Sequence, residues 1–349
     1  MSQLDRAQPP RILAAGLSPA WQQIMVFDAF LAGTVNRACE VHWCGSGKVL
    51  NVGVALARLG TTNKRCSSRV LSVIGARARA EIDQEFAELG VDCRWIETCA
   101  QTRICTTIVE RGSGRTTELV ENAPAVTADE VERFRAAFVE EAACADVVIL
   151  TGSLPPVASH VVASLRDANA SLRRGESSIG ETRPRETFYR ELLESTRARA
   201  ILDIRGPELL AALECRPFCV KPNRDELAST LNRALTTDDD LHTAMRELND
   251  RGAEWVVVTH GADAVWATND KKLYKFQPPR VEIVVNAIGS GDCLAAGIAW
   301  AAASGLDMLD AIQFGIAAAG DNVSQLLPAR IDATRIAQLQ AGVRLRRMQ

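Results

Sequence analysis

The hydrophobic pattern of the chain switches repeatedly between two periods. Arg11 to Gly16 (RILAAG) is an apolar run closed by a glycine, which predicts a buried strand, with Leu17-Ser18-Pro19-Ala20 as the turn after it. Val49, Val52, Leu56 and Leu59 recur at helical spacing within Gly45 to Gly60 (GSGKVLNVGVALARLG), so here glycines open a helix. Arg69 to Gly75 predicts a strand, and Ala76 to Gly90 a helix with Ile82, Phe86 and Leu89 inward. A strand over Val91 to Ile96 follows. Later come a helix over Ala128 to Cys144, a strand over Asp146 to Thr151 and a helix from about Ala158. Strands at Ala198 to Ile204, Pro217 to Lys221 and Trp255 to His260 then alternate with helices. Such alternation requires parallel strands joined by right-handed crossovers, which predicts an α/β fold of three layers around a mostly parallel central sheet.

Two stretches break the alternation. In about 21–44, Val35, Ala38, Val41 and Trp43 stand among polar neighbours in short strand-like pieces. In about 100–122, Ile104 to Glu110 and Thr116 to Val120 are joined by the hairpin-like turn Arg111-Gly112-Ser113-Gly114. Together they predict a small β-sheet apart from the main one. Arg173 to Arg185 is rich in Arg, Gly, Ser and Glu without apolar periodicity, which predicts an exposed insertion. Residues 1–10 and 340–349 are expected to be loose termini around a single domain over 11–330.

Composition narrows the function classes. The 349 residues suffice for a large core, and 47% hydrophobic with 24% charged residues is ordinary for a soluble enzyme. A formal net charge of −3 gives no electrostatic case for nucleic acid or an acidic membrane surface. The ten cysteines are scattered without metal-ligand spacing, so they are expected to be reduced thiols of a cytoplasmic protein. No run reaches the roughly 18 apolar residues that span a bilayer.

The chemistry concentrates in Asn286 to Ala301 (NAIGSGDCLAAGIAWA), where a glycine-rich turn runs into an apolar helix beginning near Asp292. Bare amides of Gly289, Ser290 and Gly291 at a helix start attract an anion or a charge developing in a transition state. Asp292 in that mouth reads as a base accepting a proton from a substrate hydroxyl, or as a helix N-cap. The segment GSGK (Gly45 to Lys48) is not a Walker A loop, because position 42 is not Gly and Val49 stands where Ser or Thr must hold magnesium. Lys48 at that helix start can still contact an anionic or sugar substrate. Ser18 and Gln22, just beyond the first strand, fall where ligands of open α/β sheets bind, or they form an ordinary Ser-Pro turn.

In combination these blocks resemble the PfkB carbohydrate kinases of the ribokinase-like fold, in the branch of 1-phosphofructokinase and tagatose-6-phosphate kinase. The resemblance covers about residues 11 to 330 and rests on IGSGDCLAAG (Ile288 to Gly297), TGSLPP (Thr151 to Pro156) and KPNRDEL (Lys221 to Leu227) in order. It implies ATP-dependent, magnesium-dependent phosphorylation of a sugar phosphate, fructose 1-phosphate to fructose 1,6-bisphosphate first, then tagatose 6-phosphate or fructose 6-phosphate. By the same resemblance Asp292 is the general base, and Gly289, Ser290 and Gly291 form the anion hole. Asn223 and Glu226 inherit the organisation of magnesium and its waters, although Asn223 would equally cap a surface helix. Lys221, Thr259, Gly261 and Asp263 fall on the nucleotide side, and Asn322 on a helix that lines the adenine pocket in relatives. Gly45, Ser46, Gly47, Lys48 and Asn51 correspond to the sugar-binding segment, Arg103 to the residue holding the acceptor's phosphate, and Ser153 to a further contact. The two strand-rich stretches become a lid that excludes water and pairs two subunits into a homodimer.

The departures fall on one side. Ser18-Pro19-Ala20-Trp21-Gln22 stands where the branch has Asn-Pro-Ala-x-Asp, so Gln22 replaces a sugar-binding carboxylate. Val49 replaces a Gly and Cys105 an Asn, whereas Asp292, Asn223 and Glu226 are kept. Two rival readings follow from these changes: a kinase of an unphosphorylated sugar or nucleoside, which would leave Arg103 without a partner, and a non-catalytic sugar-phosphate sensor, which would have no need of Asp292.

Overall fold

In the computed structural model, which describes residues 9–62, 65–158 and 185–348, the first strand already separates two cores. Strand β1 (Arg11–Gly16) sends Ile12 and Ala14 into one hydrophobic cluster and Leu13 and Ala15 into the other. Strand β9 (Val147–Thr151) divides Val147 and Ile149 from Val148 and Leu150 in the same way. A strand covered on both faces has no polar side, which is why these runs read as continuous hydrophobicity.

One face is covered by α1 (Lys48–Thr62), α8 (Ser290–Ala303) and α9 (Met308–Asn322), and the opposite face by α3 (Ala128–Ala142), α4 (Phe188–Glu194) and α7 (Asp238–Asp250). The sheet between them has ten strands. Parallel pairing joins β5 (Cys93–Glu97), β4 (Ser67–Ile74), β1, β9, β11 (Arg199–Asp203), β12 (Cys219–Val220) and β13 (Trp255–Val258) in that order. Beyond β13 the sheet continues antiparallel through β14 (Val265–Thr268), β15 (Leu273–Gln277) and β16 (Arg344–Met348). This is the three-layer α/β arrangement around a mostly parallel sheet that the β–α alternation predicts.

The small sheet is separate and four-stranded, in the order β3 (Glu40–Ser46), β2 (Ala20–Phe27), β6 (Arg103–Glu110), β7 (Arg115–Val120). Its register puts Gln22 level with Cys44 and Cys105, and Cys105 level with Val120, on the face turned to the large sheet. Trp21, Gln23 and Met25 alternate onto the outer face, where Trp21 stacks on Trp43 at 5.7 Å between ring centroids. Outer residues Val41, Trp43 and Leu119 are 48%, 40% and 55% exposed, so this face carries apolar surface in contact with solvent.

Some boundaries differ from those read off the sequence. Helix α2 (Arg79–Leu89) begins after Ala78, which holds φ 58°, so Ala76 to Ala78 form a turn. Gly45 and Ser46 close strand β3 instead of opening the helix. Within the expected loose end at 340–349, residues 344–348 are ordered: β16 pairs with β15 from Leu273↔Met348 to Gln277↔Arg344, and the ladder bonds supply order that the polar run RLRRM does not advertise. The helix expected from Ala158 and all of the 173–185 insertion except Arg185 lie outside the described residues, as do 1–8 of the N-terminal segment. No helix among the described residues is long and apolar enough to cross a membrane.

Candidate active site

A cleft of about 1470 Å³ opens beyond the carboxyl ends of the parallel strands, roofed by the inner face of the four-stranded sheet. At its floor Gly289 caps α8 with φ 85°, a conformation open to glycine at little cost. A Cβ there would stand 3.0 Å from Pro328 Cβ. Asp292 is therefore not the N-cap: it is the third residue of the helix, 6% exposed, aimed back into the mouth. The Asn51 amide donates to its Oδ2 at 2.7 Å, and Asn51 in turn accepts from the Ser46 hydroxyl at 3.1 Å. Burial pushes the Asp292 carboxyl up to about 7, and the nearby Asp203 charge adds to this against the pull of Lys48, Asn51 and Lys221. Of the first-turn amides of α8, that of Ser290 donates to the Ala287 carbonyl at 3.2 Å, whereas those of Gly291 and Asp292 have no intrahelical acceptor; Lys221 Nζ stands 3.5 Å from where a Cβ of Gly291 would be.

Asp203 is the residue that sequence reasoning missed. It ends β11 with 1% exposure and binds Lys48 at 3.0 Å and Lys221 at 3.3 Å through the same oxygen. Burial alone would raise its pKa, but the two lysines hold it lowered. Lys48 spans to Glu226 as well, at 3.2 Å. Its pKa is raised because Asp203, Glu226 and Asp292 together outweigh the burial that disfavours its charge. One signal was available: a carboxylate closing the apolar run Ala200 to Leu202 at the ligand end of a parallel strand.

Of the residues expected on the acceptor side, Ser46, Gly47, Lys48, Asn51, Gln22, Arg103 and Ser153 line the cleft, with Cys105, Glu118 and Arg185 in the same lining. The Arg103 guanidinium donates to the carbonyls of Pro19, Glu121 and Ser18 at 3.3, 3.1 and 3.4 Å. Those bonds fix its fork without neutralising its charge, which suits a phosphate. Gln22 is 1% exposed and its amide donates to the Thr107 hydroxyl at 2.6 Å. Gly45 does not reach the cleft. It lies opposite Trp21 on the outer face, its N–H donating to Glu85 at 2.6 Å, because side chains alternate along β3.

Of the residues expected on the nucleotide side, Lys221, Asn223, Glu226, Thr259 and Gly261 line the cleft. Asn223 caps α6 (Arg224–Thr230) in a reciprocal box: its Oδ1 accepts from Glu226 N at 2.7 Å, and Glu226 Oε2 accepts from Asn223 N at 3.0 Å. Capping and facing the cleft thus coexist. Glu226 offers oxygen to a hydrated hard cation, and among the described residues no three His, Cys, Asp or Glu side chains form a dedicated cage. That donor set fits magnesium, which keeps several waters and is bound through one or two carboxylates and substrate phosphates. Two expected nucleotide contacts are not in the cleft lining. Asp263 is exposed and paired with His260 at 2.9 Å, since the turn after Thr259 points its side chain outward. Asn322 is fully buried behind the turn, donating to the Ile288 carbonyl at 2.9 Å and the Ser290 hydroxyl at 3.0 Å. It braces the glycine-rich turn from behind.

Comparison with known proteins agrees with this architecture. The structure is similar to phosphofructokinase-2 of Escherichia coli in its tetrameric inhibited form, with 22% identity, 95% of this chain and 98% of that chain covered and a TM-score of 0.77. It is also similar to a possible 1-phosphofructokinase of Thermotoga maritima, with 20% identity over 97% and 100% of the chains and a TM-score of 0.80. Ribokinase of Thermotoga maritima shares 17% identity over 96% and 99%, with a TM-score of 0.69. At these identities the likeness shows the fold. The pfkB family carbohydrate kinase profile matches residues 22–330, so the chain belongs to that family of phosphotransferases, which move a phosphoryl group from ATP to an alcohol acceptor.

Proposed function

We propose that the protein phosphorylates a sugar phosphate with ATP and magnesium, fructose 1-phosphate to fructose 1,6-bisphosphate first, with tagatose 6-phosphate and fructose 6-phosphate as the next acceptors. One observation carries this reading: the same cleft holds a buried carboxylate poised at about 7 and, across from it, a guanidinium held by backbone carbonyls. A neutral sugar would leave the Arg103 guanidinium only Glu118, a neighbour in the cleft lining whose carboxyl is itself raised by burial, as a counter-charge. The phosphofructokinase-2 to which the fold is similar has been seen with fructose-6-phosphate.

In this reading Asp292 takes the proton of the acceptor hydroxyl as its oxygen bonds to the γ-phosphorus and the bond to ADP breaks; the proton then passes to solvent. Amides at the start of α8 and the Lys221 ammonium stabilise the transferring phosphoryl group. Arg103 holds the phosphate that the acceptor already carries. Glu226, with Asn223 beside it, would hold the waters of magnesium, which when bound neutralises charge on the β- and γ-phosphoryl oxygens. The apolar outer face of the small sheet supports a further part of the proposal, a homodimer formed through that face.

A coupled ADP-release assay over free and phosphorylated ketohexoses tests the reading. Turnover with a phosphorylated ketohexose, lost in Asp292→Asn, is expected; turnover with free sugars alone would sink the sugar-phosphate assignment.

A further inference from the structure

Ser18 stands in the three-residue connection between β1 and β2 and is 4% exposed, yet its hydroxyl has no hydrogen-bond partner among the described residues. A buried hydroxyl without a partner costs free energy in the folded chain, so its retention points to a partner that the chain does not supply. Its surroundings say which half of the cleft it serves. The Ser18 carbonyl accepts from Arg103 at 3.4 Å, and it lies 2.7 Å from where a Cβ of Gly47 would be. The Ser18 Cβ is 3.8 Å from where a Cβ of Gly152 would be. Ser18 is thus enclosed by the phosphate-holding arginine, the GSGK turn and the GSLPP loop, and it lines the cleft. Four residues on, Gln22 spends one end of its amide on Thr107 and has its other end for the same cleft.

We propose that Ser18 is a specificity-determining residue of the acceptor pocket. Its hydroxyl bonds one hydroxyl of the sugar while the free amide end of Gln22 bonds a neighbouring one. The inference rests on the sugar-phosphate kinase reading and deepens it. The carboxylate that the similar branch has at the position of Gln22 can only accept hydrogen bonds, whereas the Gln22 amide has a donor and an acceptor end and the Ser18 hydroxyl can do both. The neutral pair therefore reads a pattern of sugar hydroxyls that the carboxylate of the similar branch cannot, and it places no negative charge beside an anionic acceptor.

Ser18→Ala is the test, assayed with fructose 1-phosphate, fructose 6-phosphate and tagatose 6-phosphate. The acceptor KM is expected to rise about tenfold, the effect of one lost hydrogen bond, with kcat and the KM for ATP changed less than about twofold. The melting temperature of the unliganded variant is expected to be unchanged or higher, because an unpaired buried hydroxyl has been removed. An unchanged acceptor KM, or a lowered melting temperature, would overturn the inference and leave the kinase reading standing. If none of the three sugars is turned over, that reading fails by itself, and calorimetric binding of fructose 1-phosphate decides the inference. Weaker binding to Ser18→Ala than to wild type sustains it; equal binding, or none to either, overturns it.

Discussion

At the scale of single residues, the cleft is governed by opposed electrostatic effects on Asp292. Burial and Asp203 raise its pKa to about 7, against two lysines and an amide. A base must be unprotonated, so kcat/KM is expected to climb with pH through about 7 and then level. Asp292→Asn should lower kcat by roughly 100- to 10,000-fold. The same shift has a stability sign: the folded state holds a proton that the unfolded carboxyl, near 3.8, has released, so stability falls as pH rises from about 4 to about 7. Asp292→Asn is therefore expected to melt higher than wild type at pH 8, and an equal or lower Tm would contradict the buried-charge account. Asp203→Asn should move the acid limb of the pH profile downward, because it removes the neighbouring negative charge while leaving Asp292 in place. Gly289→Ala, forced to φ 85° and against Pro328, is expected to lose about 1–2 kcal/mol in denaturant unfolding. How far the sequence showed these residues depends on what each bonds to. Gly289, Ser290, Gly291 and Asp292 are neighbours along the chain, so their motif is visible. Asp203 meets Lys48 across 155 positions, and no local pattern records that pairing.

Elements show a similar division. The strand and helix runs of the large sheet were legible because burial on both faces, or on one stripe of a helix, writes a period into the chain. Strand β16 was not, since RLRRM borders solvent and gains its place from the ladder with β15. Removing residues 344–348 should lower the melting temperature by several degrees, and in the proposed reading it should raise the KM for ATP because Arg344 lines the cleft. A loss of stability without a change in that KM would confine β16 to a scaffolding part. Gly45 teaches the complementary lesson. It stands inside a recognisable motif, but strand alternation turns it away from its neighbours Ser46 and Gly47, and only the register with Trp21 reveals it.

For the whole molecule, the question is what covers the outer face of the small sheet. Val41, Trp43 and Leu119 leave it partly apolar, and a second copy of the chain would bury them. Trp43→Arg with Leu119→Arg should halve the mass seen by light scattering, whereas a wild type that is already monomeric would rule out the proposed dimer. The strands beneath that face run straight into the cleft. Ser18 lies in the link from β1 to β2, Gly47 alone separates β3 from α1, and Arg103 is the first residue of β6. Any tilt of the small sheet against the large one must turn about these three places and a fourth, the connection that leaves β7 after Val120. In the proposed reading, an acceptor held by Ser18 and Arg103 would also tie the roof to the large sheet, so that binding it would restrain that tilt and releasing it would free it.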